Sequence, residues 1–349
     1  MNGRPAGIAA CLCMVAAIGS SARSLNLPPR YAPHRPVSGT IRLWGHGAYD
    51  RSRDFIGSLV LAWERGFRRR QPGVRFDNHL VGTATAAEAL YTGKADLALL
   101  GREIWPAEVA AFKEVFGYPP TGVNVATGSF NVRNRDYALV VFVNKSNPID
   151  KLTLEQLRAI FGVACRRCAP AARSWGDLGL VGAWRERPIR LYGLPIARGF
   201  ARFFEDTVFL GGRLWRPSLR EFADLKGSRG GATDGGQRML DAMARDPDSI
   251  GYAGLLYSNP DVKPVALAAR PGDPYVEPTE NNVLTHRYPL TRMVTMYFDR
   301  APGRPVDPRV EEFLRFILSR EGQQDVLRHG RGYLPLLAPI AAAAQRKIH

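Results

Sequence analysis

From Gly39 onward the chain alternates strand-like apolar runs with helical stretches, and it does so twice. In the first pass Thr40–Trp44 reads as a strand, GHGAYD as a glycine-bounded loop, and Phe55–Arg70 as a helix with apolar residues at helical spacing (Phe55, Leu59, Trp63, Phe67). Val74–Leu80 is a second strand, Gly82–Thr85 a loop, Ala86–Tyr91 a helix, and Ala95–Leu100 a buried strand ending at Gly101–Arg102–Glu103. In the second pass Thr153–Phe161 is a helix capped by Thr153, with Glu155 and Gln156 in its first turn. The strand Ile189–Gly193 follows, then a helix from Gly199, a glycine-rich loop (Gly227–Gly236), the helix Gln237–Arg245 and the strand Ile250–Leu255. Two long apolar runs, Tyr137–Asn144 (YALVVFVN) and Tyr288–Phe298 (YPLTRMVTMYF), interrupt the pattern, and Pro308–Ser319 predicts a terminal helix. Repeated strand–loop–helix order predicts α/β architecture with ligands at the carboxyl ends of the strands.

Length and charge narrow the class. At 349 residues, 45% hydrophobic, the chain has material for two domains. Its formal charge of +16 comes mainly from arginines scattered along the whole length. No aromatic RNA-binding strand, zinc-finger spacing or basic helix accompanies them, so no nucleic acid partner is expected. A solvated basic surface that attracts anions is the simpler reading. Met1–Ser24 carries Arg4, an apolar run from Ile8 to Ile18, and small residues ending Ser20–Ser21–Ala22. That is the pattern of an export leader, too short to span a membrane. Cys11 follows almost no apolar run, which argues against lipoprotein anchoring. The proline-rich stretch up to Ser38 reads as a disordered or extended spacer.

The turn LYGLPIARGF (Leu191–Phe200) joins a strand to a helix start. The first amides of a helix lack partners within it and the dipole favours negative charge there, so such a turn can hold an anion. Here it offers Arg198, Gly199 and Phe200. Arg198 can clamp an anion through its guanidinium fork, or simply pair with a neighbouring carboxylate. No G-x-S-x-G, H-E-x-x-H or Ser/His/Asp set is present, and His46 stands without an identified partner. Neither an enzyme nor a cofactor or metal site is expected.

The stretches GTATAAEALYTGKADLALLGRE, NPIDKLTLEQLRAIF, SWGDLGL, SIGYAGLLYS, YPLTRMVTMYF and FLRFILSREGQQDVLRHGRGYLPL run in order from about Gly39 to Leu336. In this order they resemble the substrate-binding proteins of phosphate-type ABC transporters, which have the type II periplasmic-binding fold. The resemblance implies a periplasmic α/β protein of two lobes with a ligand cleft between them. It would bind a small anion, serve an ABC permease and act as a monomer. The implied organisation is a signal peptide over 1–22, a spacer over 23–38, a discontinuous first lobe of 39–136 plus 289–340, and a second lobe of 137–288. Tyr137–Asn144 and Tyr288–Phe298 would be the crossings between lobes.

The resemblance also implies which loops touch the anion. The first is GHGAYD, through the backbone of Gly47, Ala48 and Tyr49. The second is Gly82–Thr85, through Thr83 and Thr85, which could equally be ordinary helix caps. Where the family carries an acidic proton acceptor after the third strand, this chain has Gly101 and Arg102. Where the family reads Y-G-R-x-x-x-S-G-T, Tyr192, Gly193 and Gly199 match, but Leu194, Arg198 and Phe200 replace the arginine, serine and threonine. The expectation is therefore a cationic pocket without a carboxylate acceptor, favouring fully deprotonated anions. The alternative is an interaction or sensing protein that kept the fold and lost the pocket.

Four cysteines are present, and removal of the leader leaves Cys165 and Cys168. A C-x-x-C pair can be a redox dithiol, half a zinc site or a local disulfide. No second pair exists and histidines are sparse. The pair also follows a helix rather than opening one, so in an oxidising compartment the disulfide reading is the stronger. Mass spectrometry of exported protein should find Cys165 and Cys168 joined. Reduction should destabilise the protein only modestly, because so short a loop has little closure entropy to remove.

Overall fold

The computed structural model describes residues 25–47, 56–132, 137–163, 170–226 and 232–348. The expected leader, Ala48, Tyr49, Cys165 and Cys168 lie outside the described residues.

The chain builds a strand β1 (Gly39–Gly45), helix α1 (Gly57–Arg68), β2 (Val74–His79), α2 (Ala86–Tyr91), β3 (Leu97–Leu100), α3 (Pro106–Phe116) and β4 (Thr121–Thr127). It continues with β5 (Leu139–Asn144), the short β6 (Lys151–Thr153), α4 (Leu154–Phe161), β7 (Arg190–Gly193), α5 (Gly199–Val208) and β8 (Arg220–Glu221). A two-residue-strand ribbon, β9 (Leu225–Lys226) with β10 (Ala232–Thr233), precedes α6 (Gly235–Met243) and β11 (Ser249–Gly254). Last come β12 (Val262–Pro264), β13 (Ala266–Ala268), α7 (Glu280–Leu284), β14 (Met293–Phe298), α8 (Pro308–Ile317), α9 (Arg320–His329) and α10 (Ala338–Gln345).

Two five-stranded sheets result, in the orders β2-β1-β3-β14-β4 and β12-β5-β11-β7-β8. In the first, β1 runs parallel to β2 and β3, and β14 runs antiparallel to β3 and β4. In the second, β11 is parallel to β7 and antiparallel to β5. Each sheet has its own large core. Leu43, Trp63, Phe67 and Phe313 belong to one, and Phe142, Phe161, Phe204 and Tyr252 to the other. The capping expected at α4 forms as a reciprocal pair: Gln156 N donates to the Thr153 hydroxyl, and Thr153 N to the Gln156 side chain.

The structure corrects two expectations. Most of each long apolar run lies within one sheet, and only the start of the second, Tyr288–Arg292, carries a passage between them. Leu139–Asn144 lies wholly inside the second sheet and Met293–Phe298 wholly inside the first. Leu139–Asn144 is buried on both faces, which is what makes it continuously apolar, whereas Met293–Phe298 alternates between buried and half-buried residues. The chain passes between sheets after Thr127 and again before Met293, where Gly128 N donates to Arg292 O and Leu139 N to Leu290 O. The proline-rich stretch is not a free spacer. The Tyr31 hydroxyl donates to Glu312 at 2.6 Å, the amides of His34 and Tyr31 donate to Glu312 and Glu321, and Val37 N donates to Gln71. Burial, followed by the bond to Glu312, raises the Tyr31 pKa. The hydroxyl therefore stays protonated and able to donate.

At the junction of the two passages, Thr127 and His286 Nε2 share a hydrogen bond of 2.7 Å. His286 takes a left-handed backbone (φ 56°), and burial pushes its imidazole pKa down to about 4. An unfolded histidine titrates at about 6.5, so the unfolded chain binds a proton that the folded one refuses. Stability should therefore fall as pH drops from about 6.5 to about 4, by up to about 2 kcal/mol for a ring that water still partly reaches. His286→Asn, which tolerates the same backbone, should lose this part of the slope. Urea unfolding of both proteins across that pH range checks it.

Candidate functional site

Between the sheets lies a cleft of about 420 Å³, with Thr83, Gly101 and Arg102 on one wall and Leu194, Arg198, Gly199 and Phe200 on the other. The first wall is built from loops at the carboxyl ends of β2 and β3. Gly101 N donates to the Thr83 hydroxyl at 3.1 Å, and His46 Nδ1 lies 3.3 Å from that hydroxyl. The His46 ring covers Gly101 so closely that a Cβ there would fall 2.5 Å from it. His46 thus shapes the loop that presents Thr83.

The second wall is the β7–α5 turn. Arg198 is the N-cap of α5, in extended conformation; its guanidinium has no acceptor to offer the first amides, which receive no side-chain cap. It is exposed and forms no ion pair among the described residues. Gly199 follows as the first helical residue. A Cβ added to it would lie 2.8 Å from the Arg102 Cβ, so glycine is what lets the two walls touch here.

Not every expected residue reaches the cleft. Gly47 is buried against Leu80, and the Thr85 hydroxyl donates to Gly82 O, which makes Thr85 a structural residue. Arg102 lines the cleft but is committed: both terminal nitrogens bond Glu108, at 2.8 and 2.6 Å. The expectation of a pocket without a carboxylate is overturned, because Asp224 and Asp234 line it. Asp224 accepts from Gly235 N and Asp234 from Gly236 N, so the start of α6 is capped by the chain's own acids. Their remaining lone pairs offer acceptors for a proton on a bound oxyanion. Exclusion of protonated anions therefore does not follow from this cleft.

The residues that sequence reasoning missed are Tyr137, Asp224, Asp234, Tyr257 and Arg292. Burial raises the pKa of Tyr137 and Tyr257, so both hydroxyls stay protonated. Arg292 is 2% exposed and pairs with Glu103 through two bonds of 3.0 and 2.8 Å. Its guanidinium lies 4.8 Å from the centre of the Phe200 ring and 5.5 Å from that of Phe203, both on α5. One side chain therefore joins a first-sheet loop to a second-sheet helix. A lone arginine in the apolar run YPLTRMVTMYF was the visible signal for it.

A family model described as a PBP superfamily domain matches residues 52–321. The phosphate-binding protein PstS of Pseudomonas aeruginosa is 34% identical over 322 residues, covering 92% of this chain and 90% of that protein. Among solved structures, PstS from Borrelia burgdorferi superposes with a TM-score of 0.52 at 14% identity, covering 86% of this chain and 99% of that one. An ABC-type phosphate transport receptor from Vibrio cholerae gives 0.50 at 17% identity, covering 85% and 99%. At these identities the two structures speak for the fold alone.

The Arg292–Glu103 pair should behave as a buried one. Arg292→Leu leaves the Glu103 carboxylate without its main partner and should cost about 3 kcal/mol. Changing both residues to leucine should recover at least half of that. A double-mutant cycle by urea unfolding measures it.

Proposed function

Because this chain belongs to the PBP superfamily, and within it to the phosphate-binding proteins of ABC transporters, we propose that it captures a phosphoryl oxyanion between its two lobes and delivers it to a permease. The observation that carries this reading is the convergence of Thr83 and Arg102 from one sheet with Arg198 and Gly199 from the other on a single cavity. Arg198 supplies the charge. Its guanidinium has no carboxylate partner among the described residues, and the first amides of α5 lie beside it, so phosphoryl oxygens can take donors from both. Thr83 adds a hydroxyl from the opposite wall, held in place by Gly101 N. Arg102 adds its charge from the opposite wall, with part of its guanidinium held by Glu108.

In this reading the protein works outside the cytoplasm as a monomer. The lobes close by rotation about the paired passages beside Thr127 and Arg292. The rival reading, a sensing or interaction protein without a pocket, has less to support it. The cleft persists, and the curated relative is named for binding phosphate. No catalytic step is invoked.

Titration calorimetry with inorganic phosphate tests the assignment. Arg198→Ala should weaken binding ten- to a hundredfold, about 1.5–3 kcal/mol for a charge-assisted bond removed. Equal affinity in the variant would remove Arg198 from the site.

A further inference from the structure

We propose that the cleft is built for a phosphate monoester carrying an apolar organic body, rather than for inorganic phosphate alone; this rests on the phosphoryl-binding reading above. Size is the first argument. Inorganic phosphate has five non-hydrogen atoms and needs roughly 150 Å³, taking about 30 Å³ per water-sized group. The cleft holds about 420 Å³, within the range of sites for larger organic ligands. The two walls come close at one point, where a Cβ on Gly199 would lie 2.8 Å from the Arg102 Cβ.

The second argument is the wall. Leu194, Pro195, Phe200, Phe222, Tyr137 and Tyr257 all line the cavity. Phe200 stacks on Tyr137 with centroids 4.4 Å apart, and Tyr257 meets Tyr137 edge-on at 6.2 Å, so these rings form one rigid surface. Removing water from that surface brings a bare tetrahedral anion nothing, whereas an apolar substituent gains from it. Phe200 also stands at the second position of α5, where it adds ring surface beside the anion-binding amides.

Charge is the third argument. Of the three arginines lining the cleft, Arg102 is paired with Glu108 and Arg292 with Glu103, while Asp224 and Asp234 add negative charge. Arg198 and one helix start provide grip for a single phosphoryl group. Beyond that group the cavity offers an apolar wall and carboxylate acceptors, which suit an organic body with a hydroxyl better than a second anion.

Titration calorimetry of the full chain with inorganic phosphate and with phenyl phosphate decides this. Phenyl phosphate should bind at least tenfold more tightly. That corresponds to about 1.4 kcal/mol, or about 60 Å² of apolar surface at about 25 cal/mol per Å². Phe200→Ala should shrink the ratio of the two affinities at least threefold, and Phe200→Leu should keep most of it. A ratio taken within one protein preparation is insensitive to partial misfolding. If inorganic phosphate binds as tightly as phenyl phosphate, or if Phe200→Ala leaves the ratio unchanged, the inference is overturned and phosphoryl binding stands. If neither compound binds, the phosphoryl reading falls and takes the inference with it.

Discussion

The buried guanidinium of Arg292 is the point on which the arrangement of the two sheets turns. It sits immediately before β14, the strand that returns the chain to the first sheet, and its own carbonyl accepts from Gly128 on the other passage. Its charge is met by Glu103 at the end of the β3 loop and by the faces of Phe200 and Phe203 on α5. Taking a charge out of water costs several kcal/mol, so this arrangement survives only while all three partners are in place. The cost becomes specificity: loop, passage and helix must meet in one geometry. That geometry fixes both walls of the cleft, because Arg102 precedes Glu103 in the chain and Arg198 and Gly199 precede Phe200.

Much of the local structure was legible in the sequence. The helix expected at Ala86–Tyr91 and the helix start at Gly199 have those bounds, and the Thr153 cap forms as its spacing implied. These features are decided within a few residues by periodicity and capping. α3 and β4 were not read. β4 takes its identity from β14, which is remote in sequence, and TGVNVAT alternates too weakly to announce a strand alone. The resemblance implies crossings near Tyr137–Asn144 and Tyr288–Phe298, but an apolar run shows that a strand is buried, not which sheet buries it.

The same division holds at the site. Arg198 and Gly199 could be named from the strand–turn–helix that carries them, and Thr83 and Arg102 from the loops that the family resemblance implies. Tyr137 and Tyr257 could not. They meet because β5 and β11 pair antiparallel, with Leu139 opposite Gly254, which brings Tyr137, two residues before one strand, near Tyr257, three residues after the other. Asp234 caps α6, and Asp-Gly-Gly before a helix is the local signal that could have found it. Its position in the cleft wall depends on where α6 packs.

The two helix starts facing this cleft explain how a chain of net charge +16 can still have a selective site. Surface arginines raise the local concentration of any anion, without regard to its shape. Inside, α6 has its first amides satisfied by Asp224 and Asp234, which withdraws one of the two places where an anion could bind. The start of α5 keeps its first amides without a side-chain cap and sets Arg198 beside them. With Arg102 and Arg292 held by Glu108 and Glu103, attraction inside the cleft narrows to one helix end and one guanidinium. The broad charge of the surface gathers ligands, and the balanced charge of the interior makes the remaining choice depend on fit against the aromatic wall.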